Sequence, residues 1–146
     1  MRVLTPPYED GDEISEGLIY RRIPNIAGYF DPGAGLPTFL AFTPRERDKG
    51  ALSAHLKDYV TEEEAATNPR NPQDKTFGLC VLDIAEIRAA TNGGVTTRYH
   101  RTTGPLGHAH VRVYGCGDEA LAHQVALLAR VIRIPGASAR GTHTGG

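Results

Sequence analysis

Glycine and proline interrupt this chain along almost its whole length, with seventeen and ten of them among 146 residues. Such punctuation argues for short elements joined by turns rather than for a bundle of long helices. Between the breaks, the side-chain patterns name the elements. Residues 18–23 (LIYRRI) suit a strand, with Leu18, Tyr20 and Arg22 on one face and Ile19, Arg21 and Ile23 on the other. Residues 38–42 (TFLAF) read as a second strand stopped by Pro44, and residues 43–49 as one helical turn with Thr43 as cap and Glu46 three positions on. Residues 51–56 (ALSAHL) are ambiguous between strand and helix. Thr61 followed by Glu64 forms a capping box for a short helix over 62–67, and two Asn-Pro pairs make 68–75 a loop.

The second half is more regular. Residues 76–82 form a near-continuous apolar strand expected to be buried on both faces, and Asp83 caps a helix that ends at Asn92-Gly93-Gly94. Residues 95–102 and 108–114 are strands close enough in sequence for an antiparallel hairpin. Asp118 caps the longest helix, expected to run to about Arg133, with Leu121, Val125, Leu128 and Ile132 as its apolar stripe and Pro135 as its end. The fold class expected is α+β. It comprises a small mixed or antiparallel sheet of about four to six strands, packed against a long C-terminal helix and one or two short helices. Residues 1–17 read as a flexible acidic leader, 18–135 as a single domain and 136–146 as a flexible small-residue tail. A chain of this length buries roughly two-thirds of its unfolded surface, enough for a sizeable core.

Charge narrows the class of function. The formal net charge is −1, so a whole-surface grip on nucleic acid is not expected. The balance hides an asymmetry. Residues 1–64 carry seven basic against twelve acidic side chains, whereas residues 98–146 carry six arginines against Asp118 and Glu119 and hold five of the six histidines. A positive local field in the last third would attract phosphate or carboxylate. No run approaches the ~18–20 apolar residues of a membrane span, and the first residues lack a signal peptide's apolar segment. The expectation is a cytoplasmic protein without membrane contact, whose two cysteines, Cys80 and Cys116, are reduced. Cys80 sits in an apolar run, while Cys116 lies between two glycines and reads as the more accessible thiol.

The residues able to do chemistry gather on the expected hairpin. Alternation along 108–114 places His108, His110, Arg112 and Tyr114 on one face, with the two histidines roughly 6–7 Å apart at the backbone. Arg98 and His100 share a face of the neighbouring strand and extend the first face if the register allows. Arginines neutralise anionic oxygens while one histidine takes a proton and another delivers one. The pattern therefore suggests metal-independent processing of a phosphodiester or nucleotide, RNA included, with His108, His110 and His100 as catalytic candidates. Arg98, Arg112 and Tyr114 are then candidate binding residues. Arg21 and Arg22 form a second candidate for holding phosphate or pyrophosphate.

Other chemistries find less support. Zinc normally wants a third protein ligand beyond His-x-His, and none is placed by spacing, so no metal and no other cofactor is expected. Gly33 and Gly35 lack the Gly-Lys-Ser/Thr of a phosphate loop, and none of Ser15, Ser53 and Ser138 sits in a Gly-x-Ser-x-Gly turn. A minor alternative is an NAD-dependent transferase using an arginine of the Arg21-Arg22 pair and the Thr43 hydroxyl, though it lacks a late strand carboxylate. The rival from another class is a non-catalytic module. There the arginine and histidine face docks an anion or the acidic surface of a protein partner, and the long helix helps form a homodimer.

Overall fold

The computed structural model describes residues 5–44 and 50–136. Nine strands and three α-helices follow one another in these segments. In chain order they are β1 (Glu13–Ile14), β2 (Leu18–Ile23), β3 (Phe30–Asp31), β4 (Leu36–Pro37), β5 (Ala51–Leu56), α1 (Glu62–Ala66), β6 (Gly78–Asp83), α2 (Ile84–Ala90), β7 (Thr96–Tyr99), β8 (His110–Tyr114), α3 (Glu119–Leu128) and β9 (Arg130–Arg133). Seven of the strands make one sheet in the order β1-β7-β8-β5-β2-β6-β9, every neighbouring pair antiparallel, and β3 and β4 form a separate ribbon. The fold is α+β, with a wider sheet and a shorter last helix than the sequence suggested.

Alternation along the central strands splits the sheet into two unlike faces. Ile19 and Ile23 of β2, Leu52, Ala54 and Leu56 of β5, Cys80 and Leu82 of β6 and Val111 and Val113 of β8 turn to one side. There they meet Ile84 and Ile87 of α2, Val125 and Ala126 of α3, and Phe42 of a 3-10 turn at Phe39–Phe42, forming the main core. The opposite side carries Tyr20, Leu79 and Val81, covered by Ala65 and Ala66 of α1 as a smaller core. β6 is therefore buried on both faces, as its unbroken apolar run requires. Gly78 opens it because a Cβ there would meet the Arg133 carbonyl and the Pro135 ring at 2.6–2.8 Å.

The helices begin where local chemistry places them. The Thr61 hydroxyl accepts from the Glu64 amide while the Glu64 carboxylate accepts from the Thr61 amide, a complete capping box. Asp83 caps α2 through the Glu86 amide, and Asp118 caps α3 through the Ala120 and Leu121 amides.

Several expectations change. Residues 38–42 do not form a strand; Thr38 caps the 3-10 turn that follows. The ambiguous 51–56 segment is β5, at the centre of the sheet. α3 stops at Leu128 rather than near Arg133, because Arg130–Arg133 instead pairs with the free edge of β6. The buried stripe of α3 consists of Ala122, Val125 and Ala126, with Leu127 71% exposed. These small residues let the helix approach the core closely, so the larger leucines sit at its margins. The acidic stretch before residue 18 is partly built in: Glu13 and Ile14 pair with Arg98 and Thr97, and Ile14 is fully buried. Cys116 is as buried as Cys80, and both are free. Most of the helical turn expected at 43–49, and the tail from residue 137, lie outside the described residues. No helix among the described residues is long and apolar enough to cross a membrane.

Candidate functional site

The second face of the sheet is bare where α1 does not reach, and its polar side chains collect there. Three strands supply them: β8, β5 and β2, neighbours in that order. His55 of β5 lies directly opposite His110 of β8, and Ser53 opposite Arg112. Tyr20 of β2 lies opposite His55 on the other flank. Arg98 pairs with Arg112, and the His100 amide bonds the His110 carbonyl at 3.0 Å, so His100 continues the same row.

The hydrogen bonds of His110 decide its tautomer. Nδ1 lies 2.7 Å from the carbonyl oxygen of His100. A carbonyl only accepts, so Nδ1 carries the proton and Nε2 the lone pair. Nδ1 of the His100 ring, 3.1 Å away, is a second acceptor for the same proton. Nε2 then accepts from the hydroxyl of Ser53, whose Oγ lies 3.1 Å away. The chain of contacts runs hydroxyl, imidazole, orienting carbonyl: the arrangement that activates an oxygen nucleophile or a bound water. Burial is the main reason the His110 pKa lies below the ordinary histidine value; His100, Arg112 and Arg22 push the same way, while the bond to the His100 carbonyl opposes them.

His55 completes the cluster. Its ring stands edge-on to His110 with centroids 5.6 Å apart. It is only 8% exposed and lines a cavity over this face; its ring nitrogens bond to nothing among the described residues but are not sealed in the core, where Thr97 Oγ1 alone of those residues is buried without a partner. Burial, followed by Arg22, His110, His108 and Arg21, pushes its pKa down to about 3. At neutral pH it is an uncharged ring with one donor and one acceptor to offer.

Two adjoining cavities open over this floor. One, of about 410 Å³, is lined by Ser53, His55, His110 and Arg22, with an apolar wall of Pro69, Pro105 and Leu106. Leu106 holds a left-handed φ of 64°, and Gly107 beside it accepts no Cβ because the Thr102 carbonyl occupies that space. The other cavity, of about 510 Å³, is lined by Arg21, Arg22, Arg70, Asn25, Asn68 and Asp74 among others. Ser53, Arg22 and Pro69 border both cavities, so they mark the junction of one groove.

Arg22 is fixed in place from one side only. Its Nη1 donates to the Ala65 and Thr67 carbonyls at the end of α1, at 3.1 and 3.3 Å. Nε and Nη2 have no protein partner among the described residues, and no carboxylate there pairs with it. Burial, with Arg21 adding to it, lowers its pKa to about 10, which leaves it charged at neutral pH. Arg112 likewise makes no hydrogen bond or ion pair among the described residues. Arg21 is engaged differently: it donates to the Ala41 carbonyl from Nε and Nη2 and to the Ser53 carbonyl from Nη1, stitching β2 to β5 and the 3-10 turn.

The site expected from sequence is thus brought together in part. Arg22 and His110 line the groove, His100 contacts His110, and Arg112 lies opposite Ser53 on the neighbouring strand but borders neither cavity. His108 does not share the strand face: β8 begins at His110, and His108 belongs to a 3-10 turn at Gly107–Ala109, its Nε2 donating to the Tyr59 carbonyl at 2.9 Å. Arg98 is occupied with the Gly11 carbonyl, and Tyr114, opposite Ala51 and Thr96, lies at the far end of β8 from the cluster. The Thr43 hydroxyl donates to the Phe39 carbonyl. Ser53 and His55 were not among the expected site residues. The signal was there in ALSAHL, whose apolar Leu52, Ala54 and Leu56 leave Ser53 and His55 on the opposite face.

Among the described residues, no group of three or more His, Cys, Asp or Glu side chains is placed to hold a metal ion. Compared with family models, curated proteins and solved structures, the chain matches none.

Proposed function

We propose that the groove carries out acid–base chemistry, without a metal, on a phosphodiester or nucleotide. The observation that carries this reading is the Ser53–His110–His100 relay lying between two arginines, on flanking strands, that have no carboxylate partner among the described residues. An anionic group laid over Ser53 meets Arg22 from β2 and Arg112 from β8, which neutralise its oxygens. His110, neutral with its lone pair on Nε2, takes the proton of the attacking oxygen and returns it to the leaving oxygen. The His100 carbonyl holds the ring in that tautomer and stabilises the imidazolium as it forms. His55 stays uncharged and offers hydrogen bonds to the substrate. The walls suit a divided ligand, with the charged part among Arg22 and Arg70 and an apolar part or base against Pro105 and Leu106.

The test is turnover of a panel of short RNAs, dinucleotides and bis(4-nitrophenyl) phosphate, with and without chelator. Expected are turnover that survives chelator, a loss of about a hundredfold or more in His110→Ala, and a raised KM in Arg22→Met. kcat/KM should rise with pH through an ionisation below the ordinary histidine value. Turnover abolished by chelator, or none on any member of the panel, would overturn the reading.

The three arginines lining the larger cavity also favour anion binding without chemistry. That alternative expects His110→Ala to bind a nucleotide as tightly as the native chain, with neither form turning it over.

A further inference from the structure

We infer that Ser53 is itself the nucleophile of the groove, forming a covalent bond to the phosphorus of the substrate. This rests on the reading of the groove as a place of phosphate-ester chemistry, and it goes beyond assigning His110 as a base. Ser53 lies on β5, the middle strand of seven, where a side chain is ordinarily covered, yet it is exposed and borders both cavities. Its hydroxyl bonds only to Nε2 of His110 among the described residues. That nitrogen is the one left basic by the His100 carbonyl. Nucleophile, base and orienting group are therefore all within hydrogen-bond reach, the geometry that covalent catalysis requires.

Two further observations point to a reacting ligand at this spot. His55 is more than nine-tenths buried, has no partner for its ring nitrogens among the described residues, and lines the cavity beside Ser53. Among the described residues, Arg22 has no partner for Nε and Nη2 at the junction where Ser53 sits. Both sets of polar atoms lack partners among the described residues, and both residues border the space that a phosphoryl group attacked by Ser53 would fill.

Ser53 Oγ attacks phosphorus, its proton passes to His110 Nε2, and the Oγ–P bond forms. The ester P–O bond breaks, and the leaving alkoxide or phenoxide takes the proton from His110. Water then attacks the phosphoseryl intermediate, gives a proton to His110, and the Oγ–P bond breaks as that proton returns to Ser53. The net reaction is hydrolysis of one ester bond, with the chain restored.

Two probes on the full chain test this. The first is a fluorophosphonate, which labels an activated serine whatever the natural substrate. We expect one adduct by intact mass, located on Ser53, absent from Ser53→Ala and strongly reduced in His110→Ala. The second is bis(4-nitrophenyl) phosphate followed by rapid quench, where a burst of 4-nitrophenolate stoichiometric with the chain is expected and Ser53→Ala gives none. Full turnover by Ser53→Ala, with His110→Ala inactive and no label on Ser53, would overturn the nucleophile while leaving the acid–base reading standing. Labelling of Ser53 without turnover of any phosphodiester would uphold the nucleophile and refute the substrate class. Ser53 is exposed, so its alanine variant retains the fold, and matching circular dichroism and melting curves establish that.

Discussion

His55 concentrates the cost of building this groove into one residue. It is buried among Arg21, Arg22, His108 and His110, and its pKa falls to about 3. An unfolded chain takes up a proton on this ring below about pH 6.5, whereas the folded one does so only near pH 3. Between those values the unfolded state binds the extra proton. The contribution of His55 to stability is therefore complete above pH 6.5 and lost as pH falls, at roughly 1.4 kcal/mol per pH unit. The lowered pKa of His110 acts in the same direction. Denaturant unfolding of the native chain and of His55→Leu at pH 7, 5.5 and 4.5 checks this. The native chain should lose stability more steeply than the variant on acidification, and parallel curves would contradict the assignment. Ser53 shows the opposite economy: exposed and with one hydrogen-bond partner, it contributes little to stability, so its substitution is expected to reach function alone.

Among the elements, α1 has influence beyond its five residues. Ala65 and Ala66 close the smaller core over Tyr20, Leu79 and Val81, and the Ala65 and Thr67 carbonyls hold the Arg22 guanidinium. Arg133 of β9 ties the same helix to the sheet edge through Glu62 and Glu63, at 3.1 and 3.2 Å. The capping box that starts the helix thus also supports the position of the groove arginine. Thr61→Ala should cost about 1 kcal/mol in global stability. It should also raise KM for an anionic substrate while leaving kcat near the native value, because Arg22 loosens but the Ser53–His110 contact does not. Steady-state kinetics beside urea titration read both effects. A fall in kcat with KM unchanged would count against the link from α1 to Arg22.

For the whole molecule, the main core is the unit that opens or stays closed. Cys80 and Cys116 both belong to it, in β6 and just after β8, and burial pushes their thiols up to about 12 and about 11. Neither is expected to react with an aromatic disulfide reagent at neutral pH in the native chain. Both should react at the rate of unfolding once urea is added. Rapid labelling of Cys116 alone without denaturant would show that the β8–α3 corner opens separately from the rest.

What could be read before folding, and what could not, divides by the distance over which the deciding interaction acts. Thr61, Asp83 and Asp118 mark their helix starts within three residues of themselves, because a cap is a bond to the next turn. Alternation likewise separates Ile19 from Tyr20 and Leu52 from Ser53 without reference to any other strand. Patterns of this local kind were sufficient for the α+β class, for the 18–23 strand and for the antiparallel neighbours β7 and β8, though the register that sets Arg98 opposite Arg112 came only from the structure. They were insufficient wherever two segments compete for a partner. Residues 130–133 continue a helical stripe in sequence, yet the free edge of β6 offers their backbone a ladder and takes them as β9. Glu13 and Ile14 read as leader until β7 presents its edge. The candidate site is of this second kind: Ser53 and His110 stand fifty-seven positions apart and meet only because β5 pairs with β8 in one register. A shift of a single residue would turn His110 to the other face, and it is the packed core beneath, not the residues of the groove, that holds that register.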